Sequence, residues 1–243
     1  MRTLIISDVH ANLTALNAVL KAAEPFDRVW CLGDIVGYGP DPNACIEKIK
    51  ALPNLVCVRG NHDAAALGEI DVAAFNFEAR ASLEWLSENL NPENRSWLET
   101  LEERVTFDDF TIVHGSPRSP VWEYVLDIHS ARDNLAHFET QFCLVGHSHF
   151  PCIFQVGAEG DDRVEMILMQ PDNPFKLEHK SIINPGSVGQ PRDHDPRAAF
   201  MIYEDLENLW FYHRVEYNVS KVQKRILEAG LPKRHANRLS VGW

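Results

Sequence analysis

Seven residues of this chain have the chemistry of metal ligands, and they arrive in five short blocks. Asp8 and His10 stand one residue apart, after Ser7, where the apolar run Thr3 to Ile6 stops. Asp34 follows Gly33 at the end of Val29 to Leu32, and Asn61 lies in Arg59-Gly60-Asn61-His62-Asp63 after Val56 to Val58. His114 precedes Gly115 beyond Thr111 to Val113, and His147 and His149 lie in Gly146-His147-Ser148-His149 beyond Cys143 to Val145. Carboxylate, amide and imidazole donors together suit Mn²⁺, Fe or Zn²⁺. Seven donors exceed one ion's needs; with one shared carboxylate they divide into two sets of four, which is what a two-metal site requires. Asp34, alone at the end of its run, is the best bridge. Such a pair of ions lowers the pKa of a trapped water and stabilises the entering and leaving oxygens of a tetrahedral ester, so phosphoryl transfer is the reaction it suits.

Ligand blocks at the ends of apolar runs describe strands whose carboxyl ends open on one crevice, where open α/β sheets bind their ligands. Between the blocks the spacing turns helical. Asn12 is placed to cap a helix over Leu13 to Ala23, and Asp41-Pro42 starts another that runs to about Leu52. Strands over 3–6, 29–32 and 55–58 alternating with these helices predict βαβ units and a largely parallel sheet. Residues 64–104 are helical throughout in pattern, with Leu83, Leu86 and Leu90 on one stripe and Pro92 as a divider, and read as an insertion flanking the site. A strand over 110–113, a loop rich in proline and aromatics from Gly115 to Tyr124, a helix from about Ser130 to Phe138 and a strand over 142–145 restore the alternation. After Pro151, short runs at 153–156, 164–169, 181–183, 199–203 and 209–215 predict hairpins and a second sheet. A last helix, Ser220 to Ala229, stops at Gly230 and Pro232.

At 243 residues, 45% of them hydrophobic, the chain reads as one α/β domain over 1–243. It has no run of about 18 apolar residues, and its N-terminus enters a strand directly, so a soluble cytoplasmic protein with no membrane partner is expected. Cys31, Cys45, Cys57, Cys143 and Cys152 lack metal-type C-x-x-C spacing and read as reduced core thiols. A net charge of −12 disfavours polymeric nucleic acid as a partner, while a local positive site can still hold one phosphate.

The blocks D-x-H at Asp8 to His10, G-D at Gly33-Asp34, G-N-H-D at Gly60 to Asp63, H-G at His114-Gly115 and G-H-x-H at Gly146 to His149 resemble those of the calcineurin-like metallophosphoesterase family, in the family's order. Asn184-Pro185-Gly186-Ser187 resembles a later loop of its prokaryotic phosphodiesterase-like members. The resemblance implies a four-layer αββα sandwich: two mixed β-sheets flanked by helices, with a binuclear metal site at the carboxyl ends of strands. It implies one ion on Asp8, His10, Asp34 and His149 and the other on Asp34, Asn61, His114 and His147. It also implies that His62 is the general acid protonating the leaving oxygen, a role for which an ordinary imidazole pKa is well placed. The chain departs from the serine/threonine protein phosphatases of that superfamily, which carry Asp-Arg-Gly after the bridging aspartate where this chain has Gly37-Tyr38-Gly39. Phosphate grip then falls to the ions or to another residue such as Arg192. The branch labelled diadenosine-tetraphosphatase-related or phosphodiesterase-like is the closer one.

The expected function is hydrolysis of a small phosphate ester (a phosphodiester, phosphomonoester or dinucleoside polyphosphate) by a metal-activated hydroxide. The competing readings are a non-catalytic scaffold of the same fold, opposed by the complete ligand set together with His62, and a nuclease, opposed by the acidic balance and the lack of a basic stripe. Asp63 reads as a structural acceptor. Ser116 has no base pattern that would make it a nucleophile. Gly186 and Gly189 read as turn residues, and His129, His137, His179, His194, His213 and His235 as surface residues. Phe75, Phe77, Trp122 and Tyr124 are candidates to wall a pocket for an organic group, with Trp122 and Tyr124 placed to stack on a base; core packing is the alternative for each.

Overall fold

The structure is a computed structural model and describes residues 1–157 and 163–243. Its elements run β1 (Arg2–Ile6), α1 (Leu13–Ala23), β2 (Arg28–Cys31), α2 (Pro42–Lys50), β3 (Leu55–Cys57), α3 (Asn61–Leu67), α4 (Phe77–Asn89) and α5 (Pro92–Glu99). They continue with β4 (Arg104–Phe107), β5 (Phe110–Val113), α6 (Ile128–Asn134), β6 (Phe142–Leu144), β7 (Cys152–Val156), β8 (Val164–Ile167) and β9 (Ser181–Asn184). The last are β10 (Ala198–Glu204), β11 (Leu209–Val215), α7 (Val219–Glu228) and α8 (Lys233–Leu239).

Two sheets form. The first has the order β11-β10-β1-β2-β3, and the second β4-β5-β6-β9-β7-β8. The period-two alternation of each strand sends its residues to two cores. Ile5, Trp30 and Leu32 point between the sheets, where they meet Ile112, Leu144 and Ile183 of the second sheet. Their neighbours Leu4, Ile6, Val29 and Cys31 point the other way and pack under the helices, with Leu16, Val19, Ile46, Leu83 and Leu98. On the second sheet, Val113, Cys143 and Val145 face outward to Ala131 of α6. The layers are therefore helix, sheet, sheet, helix. Each fully buried Ile or Leu of these cores contributes on the order of 1.5–3 kcal/mol, and those of β1 and β2 hold the strand ends that carry Asp8 and Asp34.

Local signals account for most helix starts. The Asn12 carboxamide caps α1, accepting from the Ala15 amide at 3.0 Å while donating to the Gly189 carbonyl at 3.0 Å, so one residue ties the helix to a distant loop. Four expectations change. The first sheet is mixed rather than largely parallel: β1, β2 and β3 are parallel, but β10 runs antiparallel to β1 and β11 to β10. The strands after Pro151 accordingly divide, β7, β8 and β9 extending the second sheet while β10 and β11 return to the first. The helical stretch ends at Glu99, and Arg104–Phe107 is an edge strand paired antiparallel with β5. Beyond Gly230 and Pro232 the chain re-enters a helix, α8, which rests on α4 through Arg234 paired with Glu78 and through His235 donating to the Glu78 carbonyl at 3.0 Å.

Candidate metal centre

The five ligand blocks converge where β1, β2, β3, β5 and β6 end. The backbone there is unusual. Asp8, His10, Asp34, His147 and His149 all lie in the left-handed region, with φ of 54, 46, 53, 63 and 59°. A non-glycine residue in such a conformation costs about 1–3 kcal/mol and persists only where the surroundings over-determine it, which is a mark of functional sites. The fixing bonds are visible: Asp8 N donates to Gly33 O at 3.1 Å, His10 N to Asp34 O at 2.9 Å and Gly146 N to His114 O at 2.7 Å. Gly60 must be glycine, since a Cβ there would lie 2.1 Å from Asp34 Oδ1. Asp63 is a structural acceptor, taking the amides of Gly60 at 3.0 Å, Val36 at 3.1 Å and Ile35 at 3.3 Å and so pinning the block after β3 to the block after β2.

The side chains meet in three groups of ligand-type atoms, each within 4.8 Å of one another: Asp8, His10 and His149; Asp34, His114 and His147; and His10, Asp34 and His62. Asn61 joins the second through its Oδ1, 3.1 Å from His114 Nε2. Asp34 belongs to two groups, its Oδ2 standing 3.6 Å from His10 Nε2 and 3.3 Å from His114 Nε2. Three imidazoles are held alike. The Nδ1 atoms of His10, His114 and His149 lie 3.1, 2.8 and 2.6 Å from the carbonyls of Val36, Leu32 and Gln190. A carbonyl only accepts, so each Nδ1 carries a proton. His10 and His149, kept neutral by burial, turn Nε2 lone pairs inward, the arrangement typical of metal-ligating histidine. His114 Nε2 faces the Asp34 carboxylate and the Asn61 oxygen and carries a second proton in the metal-free protein. His147 is turned the other way, with Nε2 on the Trp122 carbonyl at 3.1 Å and Nδ1 left free.

That tautomer assignment tests the fit of a cation. His10 Nε2 and His149 Nε2 are 3.1 Å apart and both bare, and Asp8 Oδ1 is buried beside them with no hydrogen-bond donor. Acceptors facing acceptors in a dry site are costly unless a positive charge lies among them. The donor set therefore fits divalent cations.

Charge is distributed accordingly. Burial raises Asp34, but His114 and His62 outweigh it and hold the carboxyl well below its usual range. Burial lowers His114, and the Asp34 carboxylate reverses this and lifts it to about 9. Asp8 is pushed up to about 7 by burial against the pull of His114, with the Asp34 charge adding to the rise. Burial drives His10, His147 and His149 well below the ordinary imidazole value, and it takes His62 down to about 4 against the pull of Asp34. The ordinary imidazole pKa expected for His62 is thus not what its dry surroundings allow.

Residues 1–207 match the Calcineurin-like phosphoesterase superfamily domain. The chain belongs to that superfamily. A metallophosphoesterase from Sphaerobacter thermophilus is 43% identical, with a TM-score of 0.91 over 100% of this chain and 99% of that one. An uncharacterized protein of Methanocaldococcus jannaschii is 35% identical over 98% of this chain and 97% of its own. A symmetrical bis(5'-nucleosyl)-tetraphosphatase of Glaesserella parasuis is 27% identical over 55% of this chain and 51% of its own, so that match spans about half of each. The two mixed sheets flanked by helices are those of metallophosphoesterase neighbours.

In this calcineurin-like chain the centre floors a cleft of about 490 Å³ whose walls include His62, Phe75, Trp122, Tyr124 and Arg192. Trp122 and Tyr124 are not core residues: they are 40% and 44% exposed, and Tyr124 stacks on His147 with centroids 3.7 Å apart. Phe75 is buried and edges onto both His62 and Trp122 at 5.1 Å, whereas Phe77 is 79% exposed and is not among the cleft residues. Ser116 donates to Glu123 Oε2 at 2.5 Å and so supports the loop. The loop from Asn184 buttresses the ligands: Ser187 Oγ donates to Asp8 O at 2.8 Å, and Gly189 comes so close to Val9 O that a Cβ would sit 1.9 Å from it. Two residues escaped the sequence reading. Tyr38 packs between His10, His62 and His235 at 4.6, 4.4 and 4.7 Å, and His235 is buried beneath it instead of lying on the surface. Neither stands in a ligand block, and no local pattern links a tyrosine after β2 with a histidine on α8.

Proposed function

We propose that the protein is a binuclear-metal phosphoesterase that hydrolyses a small phosphate ester, with one ion on Asp8, His10, Asp34 and His149 and the other on Asp34, Asn61, His114 and His147. The observation that supports this most is the pair of facing Nε2 lone pairs of His10 and His149 beside the undonated Oδ1 of Asp8. When bound, a pair of Mn, Fe or Zn ions would lower the pKa of a trapped water and neutralise phosphate oxygens. The chain's residues do the rest. Asp34 stands between both groups, its Oδ1 held by the His62 amide at 2.9 Å so that Oδ2 is free for sharing. His62 faces the cleft as the proton donor to the leaving oxygen. Burial leaves it neutral at pH 7, and the negative charge of a phosphate beside it works in the opposite direction, favouring the protonated form once substrate is seated. Arg192, on the same wall, supplies the positive charge that Gly37-Tyr38-Gly39 lacks.

Among phosphate esters, a nucleotide ester is favoured by the exposed Trp122 and Tyr124 on the cleft wall. The described cysteines are all free, which fits a reducing cytoplasmic location, and no helix among the described residues is long and apolar enough to cross a membrane. The test is a screen of nitrophenyl mono- and diesters, cyclic nucleotides and dinucleoside polyphosphates with added Mn²⁺, Fe²⁺ or Zn²⁺. Turnover that disappears on chelation and returns with metal is expected; absence of turnover across the metal-replete panel overturns the proposal.

A further inference from the structure

Two segments of the site line two different hollows, residues 147–150 alternately and residues 122–126 by passing from one to the other after Tyr124. Trp122, Tyr124, His147 and His149 face the metal cleft, while Val125, Leu126, Ser148 and Phe150 face a separate groove of about 280 Å³. Met166 and Cys152 complete the apolar wall of that groove, and Leu126 at its mouth is 58% exposed. Arg192 lines both hollows and is, among the described residues, the one charged residue on the groove's wall. Its Nε is buried with no partner, while Nη2 donates to Gln190 Oε1 at 3.0 Å. A single cation with an unused buried donor therefore stands between a polar, ligand-lined cleft and an apolar groove.

We infer that this groove is a second subsite that receives the uncharged organic group of a phosphodiester whose phosphate sits at the metal centre. The inference rests on the phosphoesterase reading and narrows its substrate. A phosphomonoester carries one organic group and needs one compartment. A diester carries two, diverging from a single phosphorus, and needs two compartments with positive charge between them. The wall of the groove selects the chemistry of the second group. Aliphatic and aromatic side chains with a methionine accommodate flat or alkyl groups of varied shape, and the guanidinium of Arg192 stacks on aromatic faces. A charged end group would lose its hydration there with, among the described residues, Arg192 alone to compensate. The groove therefore takes an aromatic or alkyl alcohol instead of a second nucleotide. In the reaction, the oxygen of water joins phosphorus, the bond from phosphorus to the ester oxygen breaks, and the alcohol leaves with a proton that water supplies overall.

The test compares the ethyl and 2-(naphthyl)ethyl esters of thymidine 5'-monophosphate, whose leaving alcohols are of similar basicity, in the metal-loaded protein. Naphthylethyl should exceed ethyl in kcat/KM by about 10-fold or more, through a lower KM. Leu126→Asp, at an exposed position, should bring the naphthylethyl ester down to the level of the ethyl ester, and Leu126→Met should keep the difference. Fluorescence titration with the matching naphthylethyl phosphonate should show the same loss of binding in Leu126→Asp. Turnover of both esters with equal kcat/KM, or a difference that Leu126→Asp leaves intact, overturns the groove and spares the phosphoesterase reading. Turnover of neither ester, nor of any ester in the wider panel, overturns both.

Discussion

The floor of the cleft and its overhang are built by opposite rules. On the floor, Asp8, His10, Asp34 and His114 are almost wholly excluded from solvent, and most of the ligand residues sit in left-handed backbone fixed by amide-to-carbonyl bonds between strand ends. On the overhang, Trp122 and Tyr124 are close to half exposed, belong to no ligand block and carry no left-handed backbone. The floor accepts conformational strain to hold ligand atoms which, in the function proposed above, bind the metal ions that recognise the phosphate and not the organic group. The overhang is free of that constraint and can vary with the organic group. Chemistry and specificity are thus separable, and each of the following experiments acts on one side of that division.

The largest effect is expected on the floor. Asp34→Asn should abolish turnover and cost the protein at least one of its metal ions, because Asp34 stands both in the group with His10 and His62 and in the group with His114 and His147. Metal analysis beside the rate assay decides it: full metal content with substantial activity would remove Asp34 from the bridging position. Next, His62→Ala should keep both ions while slowing esters with poor leaving groups by about 10²–10⁴-fold, with activated nitrophenyl esters slowed less. His62 also lies within ligand range of His10 and Asp34, so loss of an ion in this variant would make it a ligand.

A pH effect follows from the charge on the floor. His114, lifted to about 9 from 6.5, contributes stability to the metal-free protein that is fully present below the lower value and is lost as pH rises through the higher one. Asp8, lifted to about 7 from 3.8, loses its contribution by neutral pH in the same sense. The lowered imidazoles His10, His62, His147 and His149 have the opposite sign, but their contributions are already fully present above 6.5. Metal binding needs His114 neutral and Asp8 ionised, so it releases protons and strengthens with pH, by about tenfold per pH unit for each proton released. The gap in Tm between metal-loaded and metal-free protein should widen from pH 6.5 to 9. Calorimetry at pH 7.5 in buffers of differing ionisation heat should register the released proton; none released would mean that Asp34 and His114 are not an ion pair.

The same division governs what could be read from the sequence. The floor was legible because each block is a few contiguous residues at the end of an apolar run, and strand ends of one sheet share a crevice whatever the rest of the chain does. Five such blocks constrain the fold as well as the site. The return of β10 and β11 to the first sheet was not legible, because strand pairing across the length of the chain leaves no trace in local alternation. The edge strand Arg104–Phe107 follows the helical stretch with no glycine or proline to mark the change. Tyr38 and His235 meet only because α8 folds back over the loop after β2. On the overhang, residue type did not distinguish a wall from a core: Phe75 is buried, Phe77 is out in solvent and Trp122 faces the cleft.

The smallest effect expected is the one that tests the overhang itself. Trp122 edges against Phe75 at 5.1 Å, lies 6.3 Å from the His147 ring and lines the cleft while 40% exposed. Stacking of a base on an aromatic side chain is worth about 1–3 kcal/mol. Trp122→Ala should therefore raise KM for a nucleotide ester by about tenfold or more and leave kcat nearly unchanged, because the ring gains as much from the bound ground state as from the transition state. A small ester such as nitrophenyl phosphate, with no base to stack, should keep its KM within about twofold. Tyr124 is the harder case: it stacks on His147 at 3.7 Å, so Tyr124→Ala removes a support of the floor as well as a wall of the overhang. If the two regions are separable as argued, Trp122→Ala discriminates between the substrates and Tyr124→Ala slows both; if Trp122→Ala slows both equally, the tryptophan belongs to the floor and the boundary drawn here lies in the wrong place.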